Sequence, residues 1–256
     1  MRLDRVNEME RYVLRNGTAS LEELAEEFHI SMNTVRRDVS ALLKRGRIRK
    51  TYGGVAVQEA PGILPMAVRA GKNLEEKRKI GRLAATLVED RQTIFLDSGS
   101  TVLTMLPYLT GRKDVTIVTH SLSAMYEAAK YPNLKVIALG GLYSPPTSSY
   151  VGISTLDALD RISVDTVFIA ATGVSLERGL TNTTYFEAEI KQRVVRRGRD
   201  HVVLLADHSK FDNASTISFF KFEDLSAVVT DRLPSQPYLD AIRACHIRLL
   251  CGEDGE

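Results

Sequence analysis

Apolar residues at helical spacing near the start of the chain predict two short helices joined closely. Within residues 31–54, one side of a helix would carry Val35, Val39, Leu42 and Leu43. The preceding segment has a second apolar stripe, and residues 29–31 leave only a short joint between the two. That stripe consists of Leu21, Leu24, Ala25 and Phe28. Two amphipathic helices joined in this way are the signature of a helix-turn-helix.

The flanking residues predict where these helices begin and end. An earlier apolar pattern indicates a first helix that ends near Asn16-Gly17. Ser20 with Glu23 forms a capping-box pattern at the start of the second helix. Ser31 is suited to cap the third helix, because its hydroxyl can accept a free backbone N–H there. Residues 47–54 then suggest a short hairpin, so residues 1–57 are predicted to form a winged helix-turn-helix domain of the α+β class.

A different pattern follows a predicted linker at residues 58–73, where two prolines and a glycine fall within five residues. From residue 74 onward, short apolar runs alternate with helix-length segments, which is typical of a buried parallel sheet. We therefore predict an α/β domain with a mostly parallel sheet over residues 74–256. The predicted strands are 93–96, 115–118, 135–139, 165–170, 202–206 and 227–230, and the helices are 75–88, 122–130, 187–197, 238–244 and one beginning at residue 101.

Charge changes the interpretation of the third helix. Residues 31–54 hold seven Lys or Arg and one Asp, a local charge of +6, whereas the whole chain carries +2. A basic helix followed by a basic hairpin suits a DNA major groove and its flanking phosphates. A solvated arginine-rich helix is the ordinary alternative, and the helix before it argues against that alternative. The predicted DNA-binding residues are Ser31, Asn33, Thr34, Arg36, Arg37, Ser40, Lys44, Arg47, Arg49 and Lys50.

Composition excludes several classes of protein. No apolar run is long enough to cross a membrane, and the charged N-terminus lacks the apolar core of a signal peptide. Two cysteines without a Cys-x-x-Cys motif fit a reducing cytoplasm, and the five histidines are scattered. We therefore expect a cytoplasmic protein without a structural metal or a cofactor.

The loops after the predicted strands carry the remaining candidate chemistry. In open α/β sheets, ligands bind beyond the carboxyl ends of the strands, where hydroxyls, glycines and a lysine collect in this chain. Each loop has an ordinary structural reading when taken alone, but together they suit a small polyhydroxylated anion such as a sugar phosphate. The predicted effector-binding residues are Asp97, Ser98, Gly99, Ser100, Thr101, Thr119, His120, Ser121, Gly140, Gly141, Thr172, Gly173, Glu187 and Lys210.

These motifs resemble those of the DeoR family of transcriptional regulators over nearly the whole chain. The N-terminal part is similar to the family's winged helix in Leu21-x-x-Leu24-Ala25-x-x-Phe28-x-Ile30-Ser31-x-x-Thr34-Val35-Arg36-Arg37-Asp38 and in Tyr52-Gly53-Gly54. The C-terminal part is similar to the family's sugar-phosphate sensor in Glu76-Lys77, Phe95-Leu96-Asp97-Ser98-Gly99-Ser100-Thr101, Leu139-Gly140-Gly141, Gly179-Leu180-Thr181 and Ala206-Asp207-His208-Ser209-Lys210-Phe211.

The resemblance implies a sensor fold like that of ribose-5-phosphate isomerase without isomerase activity. It also implies repression relieved by a phosphorylated sugar, and assembly into dimers or larger homo-oligomers on double-stranded DNA. Two positions depart from the family pattern: His120 replaces the usual Asn, and Ser100 replaces the commoner Thr. Both positions belong to the predicted effector site, so these departures bear on which sugar phosphate is the effector.

A second hypothesis is a sugar-phosphate isomerase with a DNA-binding appendage. Isomerisation needs a base beside the carbonyl carbon, and Asp97, Glu187 and Lys210 are the candidates for such chemistry. A binding site needs the same residue types, so residue type alone does not separate the two hypotheses. An isomerase converts the bound sugar phosphate, whereas a sensor releases it unchanged. The predicted site residues offer no further acid beside these candidates, and this favours the sensor.

Overall fold

The structure is a computed structural model that describes residues 2–16, 18–44, 48–51, 53–57, 64–196 and 201–252. The chain divides into two units, Met1–Lys72 and Asn73–Glu256. No helix in the described ranges is both long enough and apolar enough to cross a bilayer.

The first unit contains the predicted helix-turn-helix. Helix α1 spans Arg2–Asn16, strand β1 spans Thr18–Ser20, and helices α2 and α3 span Leu21–Glu27 and Met32–Lys44. The capping box is confirmed, since the Glu23 N–H donates to Ser20 Oγ at 3.0 Å and the Ser20 N–H donates to the Glu23 carboxylate at 2.7 Å. The core of this unit includes Val6, Met9, Val13, Leu24, Val35, Val39 and Leu42.

The predicted wing is also present. Strands β2 (Ile48–Thr51) and β3 (Gly54–Val57) form an antiparallel hairpin, and β1 pairs with β3 to give the order β1-β3-β2. Gly53 adopts a φ of +76°, which explains the need for glycine at the tip. Strand β1 was not predicted, because three residues beside a helix start carry no periodic signal.

A short helix, α4 (Met66–Gly71), lies inside the segment that the sequence assigns to a linker, and it packs on α1. Pro65, the second proline of the predicted linker, is the N-cap residue of this helix and therefore marks where it begins. Residues 58–63 lie outside the described ranges. The boundaries 1–57, 58–73 and 74–256 therefore stay a prediction.

The second unit is an α/β fold, as predicted. Its elements up to the middle of the sheet are α5 (Leu74–Ala85), β4 (Thr93–Leu96), α6 (Ser100–Leu103), β5 (Thr116–Thr119), α7 (Leu122–Ala128), β6 (Lys135–Ala138), β7 (Leu142–Ser144), β8 (Ser149–Val151), α8 (Ile153–Leu159) and β9 (Thr166–Ile169). The remaining elements are β10 (Gly173–Ser175), β11 (Gly179–Asn182), α9 (Tyr185–Val195), β12 (Val202–Leu205), β13 (Ile217–Phe220), β14 (Ala227–Thr230), α10 (Gln236–Ala244) and β15 (Arg248–Cys251).

Seven of these strands form one sheet in the order β15-β14-β12-β9-β4-β5-β6, and every neighbouring pair is parallel. Successive residues of β4 enter different core clusters: Ile94 and Leu96 pack on one face of the sheet, and Phe95 packs on the other. Both faces are therefore covered, which is why the strands are apolar throughout rather than alternating.

Several elements of the second unit were not predicted. The hairpin β7–β8, the small sheet β10-β11-β13, helix α8 and the edge strand β15 are all absent from the sequence interpretation. All six missed strands have three or four residues, too few for a pattern of alternation to emerge. The helix predicted from residue 101 begins at Ser100 but ends at Leu103.

Candidate functional site

The exposed face of α3 carries the predicted DNA-binding residues of that helix. Asn33, Arg36, Arg37 and Ser40 are exposed, while Val35, Val39 and Leu42 are buried in the core. The Ser40 hydroxyl donates to the Arg36 carbonyl at 2.8 Å and is thus already engaged within the helix. At the start of α3, the Thr34 N–H donates to Ser31 Oγ at 3.4 Å, in agreement with the predicted cap.

The remaining predicted DNA-binding residues belong to the wing and to the end of α3. Lys50 is exposed on β2. Arg49 lies in the same strand and Lys44 is the last residue of α3, whereas Arg47 lies outside the described residues.

The single acidic residue of this basic segment points inward. Asp38 is fully buried and accepts two hydrogen bonds from Arg5, from Nε at 2.8 Å and from Nη2 at 2.7 Å. Its charge is therefore satisfied inside the unit and does not oppose the arginines on the exposed face. The face that α3 presents to solvent is consequently more basic than the sequence count suggests.

In the second unit, the predicted effector residues gather around a buried ion pair at the carboxyl ends of β4 and β9. Lys191 Nζ on α9 lies 2.7 Å from Asp97 Oδ2 and donates to the Ala170 carbonyl at 2.6 Å. The Ala170 N–H in turn donates to the same Asp97 oxygen at 3.1 Å. Burial favours a raised pKa for Asp97, but the charge and hydrogen bond of Lys191 outweigh it and hold that pKa below its usual value.

Glu187 forms the second part of this cluster. Its Oε1 accepts hydrogen bonds from Ser98 Oγ at 2.8 Å and from Ser149 Oγ at 3.0 Å. Its Oε2 accepts one from Asn182 Nδ2 at 3.4 Å, and Asn182 is linked to Thr172 through a bond of 2.9 Å. The cluster therefore connects the ends of β4 and β9 of the main sheet with α9, with β11 of the small sheet and with the β7–β8 hairpin.

His120 is the third titratable member of the cluster. Its ring is fully buried and stacks on Phe95, with centroids 5.7 Å apart and an interplanar angle of 15°. Burial lowers the pKa of His120, and Lys191 acts in the same direction, while the nearby carboxylates of Asp97 and Glu187 oppose the shift. The ring is consequently neutral at pH 7.

The other loop residues at this edge have structural partners. Thr119 Oγ1 donates to the Leu96 carbonyl at 2.6 Å, and Ser121 Oγ accepts the Ala124 N–H at 3.2 Å. Ser100 and Thr101 are buried in the first turn of α6. Gly99 permits close packing, since a Cβ at this position would overlap the Ala170 side chain.

The two glycines at the end of β6 differ from each other. Gly141 has a φ of +150°, and a Cβ on it would lie 2.7 Å from the Val151 carbonyl oxygen. Gly140 has open space at the corresponding point, and its carbonyl accepts a hydrogen bond from Thr155 at 2.8 Å. The fold therefore requires glycine at residue 141 for conformation and for packing.

Lys210 belongs to a second group of polar residues around Asp207. Asp207 accepts a hydrogen bond from Asn73 Nδ2 at 3.1 Å and another from the Ser209 hydroxyl. Burial favours a raised pKa for Asp207, but the Ser209 hydrogen bond and the charge of Lys210 lower that pKa. Gly173 borders this loop, because a Cβ on it would lie 2.5 Å from the Asn213 carbonyl oxygen.

Sequence reasoning missed Lys191, Asn182 and Ser149. Lys191 had a usable signal, since it follows Glu187 by four residues and therefore shares its face of the helix. Ser149 had none, because the hairpin that carries it was not recognised. Among the described residues, no group of three His, Cys, Asp or Glu side chains is arranged to hold a metal ion.

Comparisons with known proteins place this architecture in context. Residues 5–60 match a family model described as the DeoR-like helix-turn-helix domain, and residues 72–232 match one described as the DeoR C terminal sensor domain. The chain is 40% identical over 240 residues to the HTH-type transcriptional regulator IolR of Bacillus subtilis, covering 94% of each chain. It is 33% identical to the regulator GolR of Listeria innocua, over 89% of this chain and 90% of that one.

A more distant relative is the glycerol-3-phosphate regulon repressor of Escherichia coli, 28% identical over 93% of this chain and 95% of that one. Among solved structures, the chain is similar to ribose 5-phosphate isomerase A of Methanocaldococcus jannaschii. That match has a TM-score of 0.41 and 23% identity, and it covers 55% of each chain.

Removing the cation of the buried ion pair is expected to destabilise the second unit strongly. Lys191→Met leaves the Asp97 carboxylate buried without its counter-charge, a change that costs about 3–5 kcal/mol. Lys135→Met is the matched control, because its partner Asp114 and Lys135 itself are exposed and such pairs contribute about 0–1 kcal/mol. Urea denaturation measures both, and equal losses would contradict the role of the buried pair.

Stability is also expected to depend on the protonation of His120. Because the folded pKa lies below the ordinary value of 6.5, the unfolded chain binds a proton that the folded chain excludes. The contribution of neutral His120 to the free energy of unfolding is therefore fully present above pH 6.5 and is lost as the pH falls below that value. His120→Asn should flatten this slope in urea titrations at several pH values, whereas Thr230→Val, which alters a buried polar side chain without an ionisable group, should not. If His120→Asn left the pH dependence of stability unchanged, a lowered pKa of His120 in the folded protein would be refuted.

Proposed function

The chain belongs to the DeoR family of helix-turn-helix transcriptional regulators, and from this premise we propose that it is a repressor released from operator DNA by a phosphorylated sugar. The observation that carries the DNA-binding half is the exposed face of α3, where Arg36 and Arg37 face solvent while Asp38 is paired with Arg5 inside the unit. Such a face suits the major groove of DNA, where its side chains can contact base edges on the groove floor and phosphates along both groove walls.

The effector half of the proposal rests on the cluster around Asp97. Carboxylates, hydroxyls and a histidine at the carboxyl ends of parallel strands suit the hydroxyl groups of a sugar. We assign the phosphate to the backbone of residues 98–101 and to Lys210. The four-residue helix α6 adds only a small dipole to that site, so hydrogen bonds and the lysine would supply most of the attraction. The name of one relative, the glycerol-3-phosphate regulon repressor, refers to a small phosphorylated polyol.

We propose that the site binds its sugar without converting it. A ketose–aldose isomerase needs a carboxylate that is free to take a proton from carbon. Glu187 accepts hydrogen bonds on both of its oxygens from protein donors. Asp97 Oδ2 is held by Lys191 and by the Ala170 N–H, and the lowered pKa of Asp97 makes that carboxylate a weak base even though its Oδ1 has no partner among the described residues. These contacts suit carboxylates that position a ligand rather than carboxylates that move protons.

Release requires that the effector bind one arrangement of the protein more tightly than another. In a homodimer, we propose that effector binding favours an arrangement in which the two winged helices no longer match the spacing of their half-sites. Such a regulator acts in the cytoplasm, where both operator DNA and phosphorylated sugars are found.

The two arginines of α3 are expected to contribute differently to DNA binding. They lie about 100° apart around the helix, so one is directed at a base edge while the other meets phosphate. Each change to Ala should weaken binding, and the base-directed one should also relax specificity by about 1–3 kcal/mol at one base pair. Selection from random duplexes, repeated with each variant, measures both effects. Arg78→Ala in the second unit is the control, and wild-type binding by both α3 variants would contradict the proposal.

Sugar phosphates are expected to release the selected DNA and to remain chemically unchanged. A panel of pentose, hexose and triose phosphates is titrated into the protein–DNA complex, with the unphosphorylated sugars as matched controls. Each compound that releases DNA is then recovered and checked for isomerisation. Conversion of the sugar at a catalytic rate would favour the enzyme hypothesis, and failure of every phosphate would remove the proposed effector class.

A further inference from the structure

Three polar atoms of the effector cluster have no hydrogen-bond partner among the described residues. They are both ring nitrogens of His120 and Oδ1 of Asp97, and each is shielded from solvent. His120 and Asp97 are 0% and 1% exposed. A folded protein rarely leaves several buried polar atoms unpaired in one place, and such atoms in a native structure call for a partner that the chain itself does not supply.

The surrounding side chains are already committed elsewhere. Ser98, Ser149 and Asn182 donate to Glu187, and Thr119 donates to the Leu96 carbonyl. Lys191 is directed at Asp97 Oδ2 and the Ala170 carbonyl. A change of rotamer at His120 would also break its stack on Phe95. The cluster therefore holds His120 in place without pairing its nitrogens.

The chemistry of the unpaired atoms defines their partner. Asp97 Oδ1 only accepts hydrogen bonds, and a neutral imidazole offers one donor and one acceptor. A complementary ligand must donate at least twice and accept at least once. Two hydroxyl groups meet this requirement, because each can donate and accept. A phosphate dianion does not, since it has no proton to donate and would face the carboxylates of Asp97 and Glu187.

We infer that His120 and Asp97 Oδ1 form a hydroxyl-reading subsite that determines which sugar the protein recognises. This inference rests on the proposed function and deepens it: the subsite takes the polyol part of the effector, while the phosphate lies at residues 98–101. His120 discriminates because an effector that lacks the matching hydroxyl leaves the imidazole and the carboxylate unpaired.

The test uses the full chain and follows thermal stabilisation by defined probes. The probes are inorganic phosphate, the sugar phosphate that gives the largest stabilisation, and the deoxy analogues of that compound at each hydroxyl. The variants are His120→Leu, which removes both polar atoms, and His120→Asn, which keeps a donor group (NH2) and an acceptor group (the carbonyl oxygen) on a shorter side chain. Thr230→Val is the matched control, because Thr230 Oγ1 is also buried without a partner but lies outside the cluster.

The wild type is expected to bind the parent sugar phosphate about tenfold or more tightly than one or more deoxy analogues. His120→Leu should lose that preference and bind the parent about tenfold more weakly, while inorganic phosphate binds equally well to both proteins. His120→Asn should retain binding with a changed order among the analogues. If His120→Leu fails to fold, the changed order of the analogues in His120→Asn tests the inference instead. Thr230→Val should bind like the wild type.

Two results would overturn the inference while leaving the proposed function intact. One is unchanged affinity and unchanged deoxy preference in the His120 variants. The other is an equal loss of affinity for sugar phosphate and for inorganic phosphate, which would indicate a general structural role. If no sugar phosphate stabilises the wild type or releases it from DNA, the proposed function itself fails. The wild-type titration alone separates this failure of the proposed function from the two results that overturn only the inference.

Discussion

The contact between Lys191 and Asp97 is the interaction on which the candidate effector site depends. Lys191 reaches from α9 to the end of β4 and binds the Ala170 carbonyl beyond β9 at the same time. Two opposite charges buried together need close geometry and additional hydrogen bonds, and the contacts of Lys191 with Asp97 Oδ2 and with the Ala170 carbonyl fix three elements relative to one another. With α9 held in this position, Glu187 is placed one helical turn away, opposite Ser98 and Ser149.

The two units use charge in opposite ways. In the first, arginines are displayed on an exposed helix face, and the only acid of that basic segment is buried against Arg5. Attraction to DNA phosphates from such a face is long-ranged, sequence-tolerant and weakened by salt. In the second, carboxylates and a lysine are withdrawn from water, where salt screens them little and hydrogen-bond geometry decides which ligand fits.

Most hydroxyls at the effector edge maintain the framework. Thr119 fastens the end of β5 to β4, Ser121 caps α7, and Ser98 fixes the carboxylate of Glu187. Their abundance in the sequence therefore reflects the need to satisfy polar groups at the ends of buried strands as well as any contact with a ligand. His120 differs from these hydroxyls because it stacks on Phe95 while both of its ring nitrogens lack a hydrogen-bond partner among the described residues.

The sequence by itself determined the order of the elements and the class of each unit. The apolar stripes of α2 and α3, the capping box at Ser20 and the uniformly apolar strands depend on neighbours within a few residues, so local periodicity is enough to reveal them. It also determined which loops meet at one edge, because parallel strands bring their carboxyl ends together. Tertiary structure alone decided which of those residues touch. Lys191 and Asp97 are 94 residues apart, and Ser149 enters the cluster on a three-residue strand with no sequence signature. The inward turn of Asp38 and the burial of His120 likewise follow from packing between distant segments, which no local pattern records.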